Sequence, residues 1–120
     1  MNQARSYNYA GLLSNCCEDT SFVHTVVTLF IEHMPQYMSS LEIALAENNW
    51  TEMRFKAHTM KASIDLFDIV SLKSVIREIE NQAKKNIISA TLTSDIQLLK
   101  SVINDCILEL KQDFHIPVAS

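Results

Sequence analysis

The chain has 120 residues, 48% of them apolar, with 10 basic and 14 acidic side chains and a net charge of −4. That length holds one domain around one core, and the acidic balance leaves no basic stripe to neutralise phosphates, which excludes a nucleic-acid partner. The single glycine, Gly11, is too few for a turn-rich β protein and points to long helices with short connections.

Residues 1–18 form a lead-in with room for one short helix, and Tyr7, Tyr9, Leu12 and Leu13 could dock it on the rest. No hydrophobic h-region follows Asn2, Gln3, Arg5 and Ser6, so no signal peptide is expected. The first long helix opens at Asp19-Thr20-Ser21, all good N-caps. Phe22, Val26, Phe30, Tyr37, Leu41 and Leu45 carry its period to about Glu47. Pro35 should bend this helix near residues 31–35 without breaking it. Its longest apolar run, Val26 to Ile31, falls far short of the ~20 residues that span a bilayer. His24 and His33 lie in this apolar helix and are expected to be partly buried or at its rim.

Asn49 can cap a second long helix, with Glu52 three positions on, ending near Phe67-Asp68. Ser71 opens a third, with Leu72, Val75, Ile76 and Ile79 inward. Residues 86–93 read as a β-branched, serine- and threonine-rich link. A last helix from about Ser94 to Phe114 carries Ile96, Leu99, Ile103, Ile107, Leu110 and Phe114 as its stripe. The fold class is therefore all-α, an antiparallel four-helix bundle over residues 19–116 behind the lead-in. Cys16 and Cys17 are adjacent, which suits neither a redox C-x-x-C nor a zinc knuckle, and Cys106 sits in a helical pattern. All three fit a reducing, cytoplasmic compartment.

The second long helix divides into unlike faces. Met53, Ala57, Met60, Ile64 and Phe67 make an apolar stripe, while Thr51, Arg54, Phe55, His58, Lys61, Ala62 and Asp65 lie on the other side. An imidazole is thus aimed at solvent, with Arg54 four residues before it and Lys61 three after. A neutral imidazole attacks a phosphoryl group without a separate base. Nearby cations disfavour its charged form and can meet phosphoryl oxygens in transit. From the residues alone, an idle histidine on a solvated face fits as well as a reactive one. A di-iron bundle would need two Glu-x-x-His motifs, which the chain lacks, so no metal site is expected. The methionines Met34, Met38, Met53 and Met60 fall at core spacing. No glycine-rich phosphate loop is present, so neither ATP binding nor kinase activity is expected.

The run Ala57-His58-Thr59-Met60-Lys61-Ala62-Ser63 resembles the signature of histidine-containing phosphotransfer (HPt) domains of two-component phosphorelays, commonly Ala-His-x-Leu-Lys-Gly-Ser. The likeness covers about residues 19–114, including the proline-bearing helix, the polar loop from Glu47 to Trp50, and the helix from Leu72 to Glu80. It implies a phosphocarrier, not an enzyme, that takes a phosphoryl group from an aspartyl phosphate on a receiver domain and passes it to another receiver. His58 would be the phosphoacceptor, Lys61 the cation on the phosphoryl oxygens, and Ser63 a supporting position. Arg54 is a supporting residue by helix geometry only. Ala62 stands where glycine is usual, adding a methyl near the ring, and Asp68 stands where a second glycine often ends the helix.

The implied partners are receiver domains of a hybrid histidine kinase and of a response regulator, met by a monomer through a small patch of Phe55, Ala62, Val23 and Val27. No cofactor is expected on this chain; magnesium would belong to the receiver. The alternative is a non-catalytic helical adaptor in which His58 is idle.

Overall fold

In a computed structural model, residues 4–116 are described. They form five helices: α1 (Tyr9–Asn15), α2 (Thr20–Ala46), α3 (Trp50–Leu66), α4 (Val70–Lys84) and α5 (Ala90–Asp113). Each of α2 to α5 packs against two of the others, in the cycle α2–α3–α4–α5–α2, which closes a four-helix bundle. The short α1 rests on α2 and α3.

The helix starts follow local chemistry. The Asp19 side chain accepts the Phe22 N–H at 3.1 Å, and Asn49 accepts the Glu52 N–H at 3.1 Å, each satisfying an orphan donor of the first turn. Ser89 does the same for Leu92 at 3.1 Å, so α5 begins at Ala90 and the link expected over 86–93 shortens to five residues. The fourth helix likewise starts at Val70, ahead of Ser71, and without a side-chain cap. α2 runs unbroken through Pro35, whose side chain lies on the exposed face.

The four long helices all end alike. Asn48, Asp68, Asn86 and His115 have φ between 52° and 57°, and each is followed by a residue whose N–H bonds back to the carbonyl five positions earlier: Asn49 to Ala44, Ile69 to Ile64, Ile87 to Gln82 and Ile116 to Lys111. These are Schellman ends, built with Asn, Asp and His because a short polar side chain enters the left-handed region at modest cost. A chain with one glycine can turn three times for this reason.

The core runs along the stripes predicted for α3, α4 and α5, whereas that of α2 is shifted: Phe22 is exposed and Val26, Tyr37 and Leu45 are half-buried. Val23, Val27, Phe30, Met34, Met38 and Leu41 of α2 face Met53, Ala57, Met60 and Ile64 of α3, then Leu72, Ile76 and Ile79 of α4 and Leu92 to Leu110 of α5. The four methionines are core fillers, and the Phe30 and Phe67 rings stack at 4.4 Å. His24 and His33, in contrast, are exposed, because at about 100° per residue they fall on the two opposite flanks of the buried stripe of α2.

The lead-in is tied down by specific bonds. Arg5 forks onto Asp113 at 3.1 and 2.7 Å, the Tyr7 hydroxyl donates to the same carboxylate, and Ser6 donates twice to Glu109. Burial alone would raise the Asp113 pKa, but the bonds from Tyr7 and Arg5 outweigh it and hold the carboxyl below its usual range. Tyr7 and Leu12 are buried, while Tyr9 is exposed and meets Phe114 at 6.2 Å. At the other end, Asn15 donates to the Asp65 and Leu66 carbonyls, capping the C-terminal turn of α3. Gly11 sits against Asp68: a Cβ there would lie 2.6 Å from its Oδ2 and 2.8 Å from its Cβ. The one glycine is a close-approach residue.

Candidate functional site

The buried stripe of α3 rotates His58 to the outside, where its side chain is 69% exposed. Helical side chains lean toward the N-terminus of their helix, so the ring lies over the turn that carries Arg54 and Phe55. His58, Thr51, Arg54 and Phe55 line an open groove of about 400 Å³ whose far wall is Glu80 of α4.

Glu80 is the residue that the sequence did not single out. Its Oε2 lies 2.9 Å from His58 Nδ1 and its Oε1 accepts from Lys61 Nζ at 2.7 Å. One carboxylate therefore holds both residues of the motif. Burial by itself would raise the Glu80 pKa; the bonds from Lys61 and His58 outweigh it and hold the carboxyl below its usual range. Glu80 is thus ionised at neutral pH and can only accept. The proton between it and the ring must sit on Nδ1, which leaves Nε2 of the neutral imidazole with a free lone pair facing solvent. Oriented this way, the ring is a nucleophile with one usable nitrogen.

A signal for Glu80 existed. It lies four residues after Ile76 and beside Ile79, on the shoulder of the buried stripe of α4, where a carboxylate needs a partner across the helix interface. Sequence spacing does not supply the partner, because Glu80 and His58 are 22 positions apart.

The other expected residues divide. Phe55 is 61% exposed, and Ala62 is exposed one turn after the histidine. Ser63 does not reach His58; it lines a separate cleft between α3 and α2 with Val26, Leu29 and Tyr37. Val23 and Val27 are not at the surface: they are 1% and 0% exposed, on the core stripe of α2. The exposed apolar residues nearby are their helical neighbours Phe22 and Leu29, with Val26 half-buried. A one-residue step turns a side chain by about 100°, so a patch set one position out of phase falls into the core.

Among the described residues there is no group of three or more His, Cys, Asp or Glu side chains that could hold a metal ion. Among the same residues, no helix is long and apolar enough to cross a membrane.

The bundle presents the His58 imidazole on the outer face of a rigid helix, open to a partner. The family model described as "Hpt domain" matches residues 25–113. The chain belongs to the Hpt domain family. Its members are phosphocarriers of two-component signalling that work with receiver and kinase domains and are not themselves kinases. No curated protein and no solved structure matches the chain.

Proposed function

We propose that the protein is a phosphorelay intermediate in which His58 takes a phosphoryl group from an aspartyl phosphate on one receiver domain and hands it to an aspartate on another. The observation that carries this reading is the Glu80 bond to Nδ1, which in the neutral ring turns the Nε2 lone pair to solvent. Nε2 attacks phosphorus, the acyl-phosphate P–O bond breaks, and the receiver carboxylate leaves with the electron pair. The new bond is P–Nε2. The phosphorylated ring keeps its proton on Nδ1 and is formally cationic, and the ionised Glu80 beside it offsets that charge. Transfer onward reverses the same events: an aspartate oxygen of the second receiver attacks phosphorus, the P–Nε2 bond breaks, and the imidazole leaves with the electron pair.

Lys61 sits one turn from His58 and is the cation that the family motif assigns to the phosphoryl oxygens. Magnesium is held by the receiver. The receiver docks over Phe55 and Ala62 of α3 and reaches Phe22, Val26 and Leu29 of α2, which replaces the patch expected from Val23 and Val27. Such a contact is small and transient.

The test is to mix the protein with a phosphorylated receiver and follow label into an acid-labile, base-stable bond. His58→Gln should abolish labelling and leave receiver binding intact. Labelling of the His58→Gln variant, or none of the wild type across the host's receivers, refutes the relay and leaves the adaptor.

A further inference from the structure

We propose that Arg54 is a second phosphoryl-contacting cation, and the one that meets the group first. The inference rests on the relay reading of His58 and adds a residue to it that the family motif does not contain.

Lys61 is committed at rest. Its ammonium lies 2.7 Å from Glu80, and both side chains are about three-quarters shielded from water, so it must share or leave that carboxylate to reach a phosphoryl group. It also does not line the groove in front of His58. Arg54 differs on each point. It lines that groove together with His58 and Glu80, and it also borders two adjoining hollows, both lined by Lys84 of α4 and one of them also by Arg77 and Asn81. Arg54 thus borders the side of α3 that faces α4, where Glu80 holds the ring. Residues four apart on a helix have Cβ atoms roughly 5–6 Å apart, and the ring of His58 leans toward Arg54 and away from the C-terminal end.

Arg54 is also uncommitted. Lys56, Lys73, Arg77 and Lys100 each pair with a carboxylate, on Glu52, Asp68, Asp65 and Glu42. Among the described residues Arg54 forms no ion pair or hydrogen bond within the chain. A planar, permanently charged fork facing an open groove suits two oxygens of a phosphoryl group in a bidentate contact. Nothing in the resting protein has to be broken to make it.

The step can be run without a protein partner. Phosphoramidate donates its phosphoryl group: the P–N bond breaks, ammonia leaves with the electron pair, and P–Nε2 forms. Phosphohistidine formation and decay are followed by ³¹P NMR in the whole chain for wild type, Arg54→Gln, Arg54→Lys and His58→Gln, with helicity checked by circular dichroism. Arg54→Gln should slow phosphorylation roughly tenfold, as expected for one charge-assisted contact at an exposed site. Arg54→Lys should recover part of the rate, since a point charge replaces a fork.

A wild-type rate in Arg54→Gln overturns the proposal, whether or not that variant binds receivers more weakly; weaker binding alone would make Arg54 a docking residue. Neither result touches the relay reading. Absence of any phosphohistidine in the wild type, from phosphoramidate and from receivers alike, overturns both.

Discussion

Replacing Glu80 by glutamine keeps its shape and removes its charge, and the consequence can be worked from the bonds it makes. An ionised carboxylate only accepts, so it requires the proton on His58 Nδ1; an amide both accepts and donates, and can bond either tautomer. The selection lost is the difference between a charge-assisted and a neutral hydrogen bond, which are about twofold apart in strength. His58 is two-thirds exposed, so screening reduces this to about 1 kcal/mol, or roughly fivefold in the tautomer ratio. Nitrogen-detected NMR of the imidazole reads that ratio directly. The wild type should hold Nδ1–H, and Glu80→Gln should populate both forms. Phosphorylation from a small-molecule donor should fall by no more than the same factor, because only rings with a free Nε2 can attack. The pH dependence has a definite sign. A carboxyl whose folded pKa is lowered contributes stability above its unfolded value of about 4.3, and loses it as pH falls through the lower folded value. The stability gap between wild type and Glu80→Gln should therefore be present at pH 7 and close in acid. An unchanged tautomer ratio in the variant would refute the role given to Glu80.

Two further outcomes follow from the packing. Gly11→Ala places a Cβ 2.6 Å from a carboxylate that Asn8 and Lys73 hold at 2.8 and 2.5 Å. Overpacking of about 1–3 kcal/mol should outweigh the roughly 1 kcal/mol that alanine gains in a helix. Chemical denaturation should show a less stable protein, and Asp68→Gly on that background should restore most of the loss; a more stable Gly11→Ala would contradict the close approach. On α2, Val27→Ala should cost about 2 kcal/mol of stability as a buried truncation. Leu29→Ala should change stability by less than about 0.5 kcal/mol and weaken receiver binding, measured by calorimetry. The opposite pattern would put the docking surface elsewhere.

Much of the fold was legible because its determinants are local. Asp19 and Asn49 cap the helices they were expected to cap, and the stripes of α3 to α5 repeat at the helical period, so each reports its own buried face. The misplacements share one origin. Ser89 rather than the later Ser94 opens α5 because its side-chain oxygen accepts from the Leu92 N–H and its hydroxyl donates to the side-chain oxygen of Gln82 on α4, which ties the cap to a neighbouring helix. Val23 and Val27 were assigned to a surface, whereas the phase of α2 is set by which neighbours close the bundle around it.

The sequence by itself determined that His58 points outward, since the methionine and aliphatic stripe of α3 must turn inward and drags the opposite face to solvent. It also favoured Asn48, Asp68 and Asn86 as helix ends, because asparagine and aspartate enter the left-handed region at modest cost in a chain with one glycine. Which nitrogen of the ring is free, and which cation is at liberty, were decided by tertiary structure alone. Both depend on a carboxylate from another helix, and the approach of two helices is a sum of many weak packing terms that no spacing along one helix encodes.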